Sequence, residues 1–218
     1  MLLKLAKKLL PRGAAYRKIL LGPAAGVKVR IDFAHQSRLY FGLYEYELAP
    51  YFRELIYPGA KCFDVGGADG YDALMQAKLS GDAGVVTFEC EQRFADELQR
   101  TLDQNAYKVQ VVRAYAGDVD SGDNITLDAA AQKYFMPDFI KLDIEGAEMR
   151  ALRGAARILE QRKPNLLVET HAAHLETECI ALLRGYGYEP KIVDQRRWFK
   201  ERRPTAHNRW LICPGRRP

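Results

Sequence analysis

No stretch of this 218-residue chain reaches the roughly 18 consecutive apolar residues that a membrane-spanning helix needs. The best candidate, 19–27, is interrupted by Gly22, Pro23 and Gly26. Cysteine is scarce. Cys62, Cys90, Cys179 and Cys213 stand far apart and form no CxxC pair, which excludes a disulfide miniprotein and a zinc site built on close ligand pairs. Reduced, buried thiols of a cytoplasmic protein are the expectation. There is no GxGxxG and no GxxxxGK[ST], so the dinucleotide fingerprint and the P-loop are both absent. Internal repeats and low-complexity segments are lacking too. Acidic residues are almost missing from the two ends: residues 1–20 carry six Lys/Arg and no acid, and residues 196–218 carry eight Lys/Arg and only Glu201.

What is there is a globular composition. Hydrophobic residues make up 48% and charged residues 28%, enough for one sizeable core at this length. The net charge of +5 conceals a partition, because the stretch 21–195 is acidic while both ends are basic. A nucleic-acid-binding body would be basic throughout. Basic ends on an acidic body suit arms that touch phosphate, a membrane surface or an acidic partner. The segment 2–10 has helical spacing, with Lys4, Lys7 and Lys8 on one side and leucines on the other, and Pro11 ends it. Its lysines break any apolar signal-peptide region. Weak peripheral contact with the inner face of a membrane through residues 1–11 is one expectation for it, and packing on the domain is the other.

Beyond residue 41 the pattern alternates strand and helix. Strands are expected at Lys61–Val65, Gly84–Glu89, Lys108–Tyr115, Asp138–Asp143, Asn165–Glu169, Glu189–Val193 and Trp210–Cys213, with a further one near Val27–Phe33. Helices are expected at Glu45–Ile56, Tyr71–Ser80, Glu91–Asn105, Ala147–Gln161 and His174–Gly185. Strands separated by helices of this length imply βαβ units and a mainly parallel sheet. The chain divides into a basic N-terminal helix and lead-in (1–41), one domain (42–214) and a basic tail (215–218).

Three segments carry chemistry. Asp64-Val65-Gly66-Gly67-Ala68-Asp69-Gly70 follows a strand and opens a helix, where glycines let the backbone turn and approach a ligand. Glu89, at the end of the next strand, is placed to accept both hydroxyls of a ribose. Together they predict a nucleoside cofactor. Asp64 ahead of the glycines suits S-adenosylmethionine, whose methionine end carries an ammonium, a sulfonium and no phosphate. Asp143, in the run Lys141–Glu148, ends a strand and faces the ligand crevice, while Glu145 and Glu148 start a helix whose dipole favours negative charge. Glu169 and His171 share a face at the end of the following strand. If the two strands are neighbours, Asp143, Glu145, Glu169 and His171 converge, giving a general base or ligands for a hard divalent cation. No residue is assigned to metal, because nothing fixes a coordination geometry.

The segments DVGGADGYDAL, TFECEQ, TLDAAA, FIKLDIEGAEMRALRGA and LLVETH, with GLYEYE ahead of them, resemble the FkbM family of S-adenosylmethionine-dependent methyltransferases over about 42–214. Ala68 stands where that family's DVGAN form has asparagine, and Cys90 where proline is usual. The resemblance implies a Rossmann-like class I methyltransferase fold, a three-layer sandwich on a mostly parallel seven-stranded sheet, here with a short N-terminal helical extension. It also implies O-methylation of a hydroxyl on a sugar, glycan or small metabolite. The corresponding cofactor residues are Asp64, Gly66, Gly67, Asp69, Gly70, Tyr71, Glu89, Asp118 and Asp143, with Asp118 near the adenine. Asp143, His171 and Glu145 are the candidate catalytic residues. Two other readings stand beside this one: a nucleic-acid methyltransferase using the basic ends on phosphate, and a non-catalytic binding or scaffold protein.

Overall fold

A computed structural model describes residues 13–196 and 207–216. The amphipathic segment 2–10 lies outside the described residues, as do 197–206 and the last two residues of the tail. The chain begins with a hairpin, β1 (Ala15–Lys18) paired with β2 (Lys28–Ile31), followed by α1 (Phe33–Tyr40), a 3-10 turn (Tyr46–Leu48) and α2 (Ala49–Leu55). The alternating part comprises β3 (Cys62–Val65), α3 (Tyr71–Ser80), β4 (Val85–Phe88), α4 (Gln92–Leu102) and β5 (Val109–Val112). A two-stranded ladder, β6 (Tyr115–Ala116) with β7 (Asn124–Ile125), leads to α5 (Leu127–Lys133) and β8 (Phe139–Leu142). The chain closes with α6 (Glu148–Arg153), α7 (Ala156–Gln161), β9 (Asn165–Thr170), α8 (Ala173–Gly185), β10 (Lys191–Val193) and β11 (Arg209–Cys213).

Seven strands form the central sheet in the order β10-β11-β9-β8-β3-β4-β5. The pairs from β9 through β8, β3 and β4 to β5 are parallel, and β11 runs antiparallel between β9 and β10. This is the expected mostly parallel seven-stranded, Rossmann-like class I methyltransferase sandwich. The chain runs outward from β3 through β4 to β5, then returns to place β8 on the other side of β3. That reversal opens a crevice at the carboxyl ends of β3 and β8, where doubly wound sheets bind ligands. Strand side chains alternate between two cores. Cys62, Val85, Phe139, Leu167 and Trp210 pack under α1–α4, whereas Phe63, Val86, Ile140, Leu166 and Leu211 pack under α5–α8. Both faces are covered, so these strands read as near-continuous apolar runs.

The structure departs from the sequence reading in three places. The lead-in before residue 42 holds, besides the strand expected near Val27–Phe33, a partner strand β1 and a helix α1; Asp32 caps α1 by accepting from the Ala34 N–H at 2.9 Å, a capping role typical of aspartate. The single strand expected at Lys108–Tyr115 is two, β5 and β6, broken at Arg113-Ala114. The single helix expected at Ala147–Gln161 is α6 and α7, divided at Gly154-Ala155. Gly154 is needed because a Cβ there would collide with the Gly117 carbonyl, and its own carbonyl accepts from Asp128 N–H at 2.9 Å. A Gly154→Ala substitution is therefore expected to destabilise the protein by about 1–3 kcal/mol through overpacking. Gly185→Ala at the end of α8, where the added methyl meets nothing within 4 Å, is expected to stabilise it by up to about 1 kcal/mol. Urea denaturation of the two variants beside the parent protein checks both signs.

Candidate active site

The loop after β3 is shaped by what it must pass. Gly66 has φ +97° and lies so close to the loop after β8 that a Cβ would strike the Asp143 carbonyl. Ala68 adopts φ +43°, a left-handed conformation that costs an alanine roughly 1–2 kcal/mol and that asparagine tolerates better. Two contacts fix it there. The Ala68 N–H donates to Glu89 Oε2 at 2.9 Å, and Glu89 Oε1 accepts from the Glu91 N–H at 2.9 Å. Glu89 thus ties the first loop to the start of α4 and keeps lone pairs for a further partner.

Two cavities meet along this loop. One, of about 480 Å³, is walled by Gly66, Gly67, Asp69, Tyr71, Asp72 and Asp143 on one side and by residues 35–39 of α1 with Tyr44 on the other. Tyr44 meets Tyr71 edge-on at 5.8 Å between ring centroids. The second, of about 440 Å³, is lined by Phe88, Glu89, Cys90, Phe94, Tyr115, Ala116, Ile144 and Glu145. Gly66, Ala68 and Asp143 border both. The second cavity combines apolar walls with a carboxylate at one end, which suits a flat heterocycle on a sugar. The first has mixed walls, with the carboxylates of Asp69, Asp72 and Asp143 facing Leu39 and Tyr44, and is larger than the methionine end of such a ligand requires.

Beneath the cavities lies a buried charge cluster. Lys141 is 1% exposed and its ammonium lies 3.0 Å from both Asp72 Oδ2 and Asp143 Oδ2. Burial alone would lower the lysine's pKa, but the surrounding carboxylates, Asp143 first, raise it well above the ordinary value. Burial opposes ionisation of Asp143 as well, yet the Lys141 ammonium holds its carboxyl below the usual range. His171 is set by Glu148. Its Nδ1 lies 2.6 Å from Glu148 Oε1, and its Nε2 lies 3.5 Å from Asp143 Oδ1 and 3.7 Å from Glu169 Oε1. Against the lowering effect of burial, the Glu148 hydrogen bond and the carboxylates of Glu169 and Asp143 raise the imidazole pKa.

The sequence-predicted residues fall into three groups. Gly66, Gly67, Asp69, Tyr71 and Asp143 line the first cavity, and Glu89, Glu145 and Asp143 the second. His171 lines neither; it stands behind Asp143 with its side chain 8% exposed. Three more of the residues read from the sequence stand outside both linings. Asp64 does not reach the ligand space: it is fully buried under the loop, accepting from Gln76 Nε2 at 2.9 Å and Thr87 Oγ1 at 2.8 Å. Burial pushes its carboxyl up to about 7, against the pull of Lys141. Gly70 packs against Leu98 and starts α3 in a left-handed turn, outside the cavity walls. Asp118 pairs with Arg150 at 3.2 Å and is absent from both linings.

Sequence reasoning missed Lys141, Asp72, the α1 wall and the Glu148–His171 contact. A signal for Lys141 was present, since period-two geometry puts it on the face of Asp143. Among the described residues, Asp143, Glu169 and His171 bring ligating atoms within 4.8 Å of one another and are a group able to hold a metal ion. Each is already engaged by the protein. Glu169 accepts from Asn208 Nδ2 and from Trp210 Nε1, His171 bonds Glu148 and Asp143 bonds Lys141. The arrangement is a hydrogen-bonded cluster suited to holding a proton.

Residues 122–190 match the model of the Methyltransferase FkbM domain. This segment is shorter than the 42–214 of the resemblance, but it contains Asp143, Glu145, Glu148, Glu169 and His171. A comparison with curated protein sequences returns no match. Among solved structures, the methyltransferase FkbM from Methylobacillus flagellatus KT is 20% identical with a TM-score of 0.55. The alignment covers 83% of this chain and 53% of that one, so the chain spans about half of that relative's length. Precorrin-6y C5,15-methyltransferase from Geobacter metallireducens GS-15 is 13% identical over 79% of this chain and 88% of that one, with a TM-score of 0.56. Aeropyrum pernix fibrillarin, solved with natively bound S-adenosyl-L-methionine, is 15% identical over 73% and 68%, with a TM-score of 0.55. At such identities the structural likeness establishes the fold. Residues 122–190 thus match the FkbM methyltransferase domain, within a chain whose seven-stranded sheet has the class I methyltransferase fold.

Proposed function

We propose that the protein is an S-adenosylmethionine-dependent O-methyltransferase acting on a hydroxyl of a sugar, glycan or small metabolite. The observation that carries the reading is the pair of cavities meeting at Gly66, Ala68 and Asp143. One has the walls for a nucleoside, and the other, with carboxylates on one wall and α1 on the other, has room for an acceptor. The FkbM match over residues 122–190, which hold Asp143 and His171, and the cofactor held by fibrillarin support it.

The residues fit the cofactor. Glu89 is placed for the ribose hydroxyls, Phe88, Cys90 and Ala116 for the base, and Asp69, Asp72 and Asp143 for the cationic methionine end. When bound, S-adenosylmethionine supplies a methyl group already activated on sulfur, so that the C–S bond breaks as a C–O bond forms and the acceptor hydroxyl releases a proton. The chain positions the reactants and receives that proton. Asp143, bordering both cavities, is the carboxylate nearest the transfer. His171 acts through it: with its own proton on Nδ1 toward Glu148, its Nε2 is the acceptor facing Asp143.

S-adenosylmethionine and S-adenosylhomocysteine should each raise the melting temperature, as ligands of the native state do, and Glu89→Ala should weaken binding by about 1–3 kcal/mol in calorimetry. The absence of binding at millimolar ligand rejects the reading. Because the His171 pKa is raised, its proton stays to higher pH and the basic form is lost as pH falls. With an accepted substrate, kcat should therefore rise with pH through a transition above the ordinary imidazole value of about 6.5. Glu148→Gln should move that transition down, and His171→Ala should lower kcat by roughly 10²–10⁴ with cofactor affinity nearly unchanged. An unshifted profile in Glu148→Gln would leave the His171–Glu148 pair purely structural.

A further inference from the structure

Among the described residues, eight large apolar side chains are exposed, and five of them fall within 20–46: Leu20, Leu21, Phe41, Tyr44 and Tyr46. Leu20 and Leu21 are the most exposed of these five, at 52% and 57%. The fold brings them together. The Leu20 N–H donates to the Tyr40 carbonyl at 2.8 Å, and the Leu21 backbone lies against Gly42 so closely that a Cβ there would collide. The β1–β2 turn is therefore pressed onto the link after α1, beside Phe41. From there the patch continues to Tyr44, which is itself a wall of the larger cavity. Several exposed apolar side chains gathered near a cavity mouth mark an interaction site more often than an isolated exposed leucine does.

Charge identifies the partner. Residues 13–47 carry Arg17, Lys18, Lys28, Arg30 and Arg38 against three acids, of which Asp32 caps α1, Glu45 is buried and Glu47 is paired with Arg196. The twelve residues leading into this segment add Lys4, Lys7, Lys8 and Arg12 with no acid. Residues 45–218 are by contrast net acidic. Exposed leucines and aromatics set among cations are the surface that lies in the interface of an anionic bilayer, with apolar groups entering the headgroup boundary and each nearby Lys or Arg drawn to the surface potential.

We propose that the β1–β2 turn and the link after α1 dock this domain on an anionic lipid surface, so that the larger cavity opens onto the headgroup layer. The test is flotation of the full-length protein with phosphatidylcholine vesicles, with and without phosphatidylglycerol. The parent protein is expected to float with the anionic vesicles and to lose this at high salt. Leu20→Ser/Leu21→Ser/Phe41→Ser, which leaves residues 1–12 in place, is expected to float several-fold less, as is the single exposed change Lys18→Glu. Melting temperature, and its shift on adding S-adenosylhomocysteine, should be retained in both variants, which separates loss of docking from misfolding and from failure of the proposed enzymatic reading. Recovery of the parent protein away from both kinds of vesicle, or flotation of the triple variant equal to the parent's, overturns the proposal.

Discussion

The ammonium of Lys141 has no access to water, and its two carboxylate partners come from different places: Asp72 from the first turn of α3 and Asp143 from the link after β8. A charge buried in a strand is tolerable only with such partners, and removing one side of a buried pair of this kind typically costs about 3–5 kcal/mol. The constraint therefore works on both sides of the crevice. It holds the start of α3 against the end of β8, and it keeps Asp143 ionised where the two cavities meet. Asp64, one strand away and fully buried, is furnished instead with hydrogen bonds from Gln76 and Thr87, where a third bare carboxylate would compete for the same lysine.

The architecture was largely legible in the sequence because both faces of the sheet are covered. Buried parallel strands leave short apolar runs, and the helices between them leave amphipathic spacing. Tyr71–Ser80 was found to the residue, since Gly70 and Gly81 bracket it with left-handed turns. The misses have a common cause in contacts distant along the chain. Nothing local to Gly154 reveals that Gly117 will press on it, so α6 and α7 read as one helix. The wall made by α1 was invisible for the same reason, because its role depends on where the β1–β2 hairpin sets it.

For the site, the motif glycines and strand-ending acids were readable, but their division of labour was not. Asp64 and Asp143 look alike on paper, each at the end of a strand. One is enclosed beneath a glycine loop and the other looks into open space, a difference that only packing determines. Glu148 is the helix-start acid it looked like and is also the partner of the imidazole just past β9. The electrostatics of the helix start and the orientation of His171 are served by the same carboxylate.

Ala68 carries a consequence of a different kind. Its backbone is held in a conformation it does not favour, by the bond from its amide to Glu89 and by the crowding that pins Gly66. A loop kept in place by its neighbours, against its own preference, is poised like a latch. Its shape reports the state of the carboxylate that fastens it. The amide proton of Ala68 is then a natural gauge of that fastening, because whatever competes for Glu89 would be felt first as faster exchange of that single hydrogen with solvent.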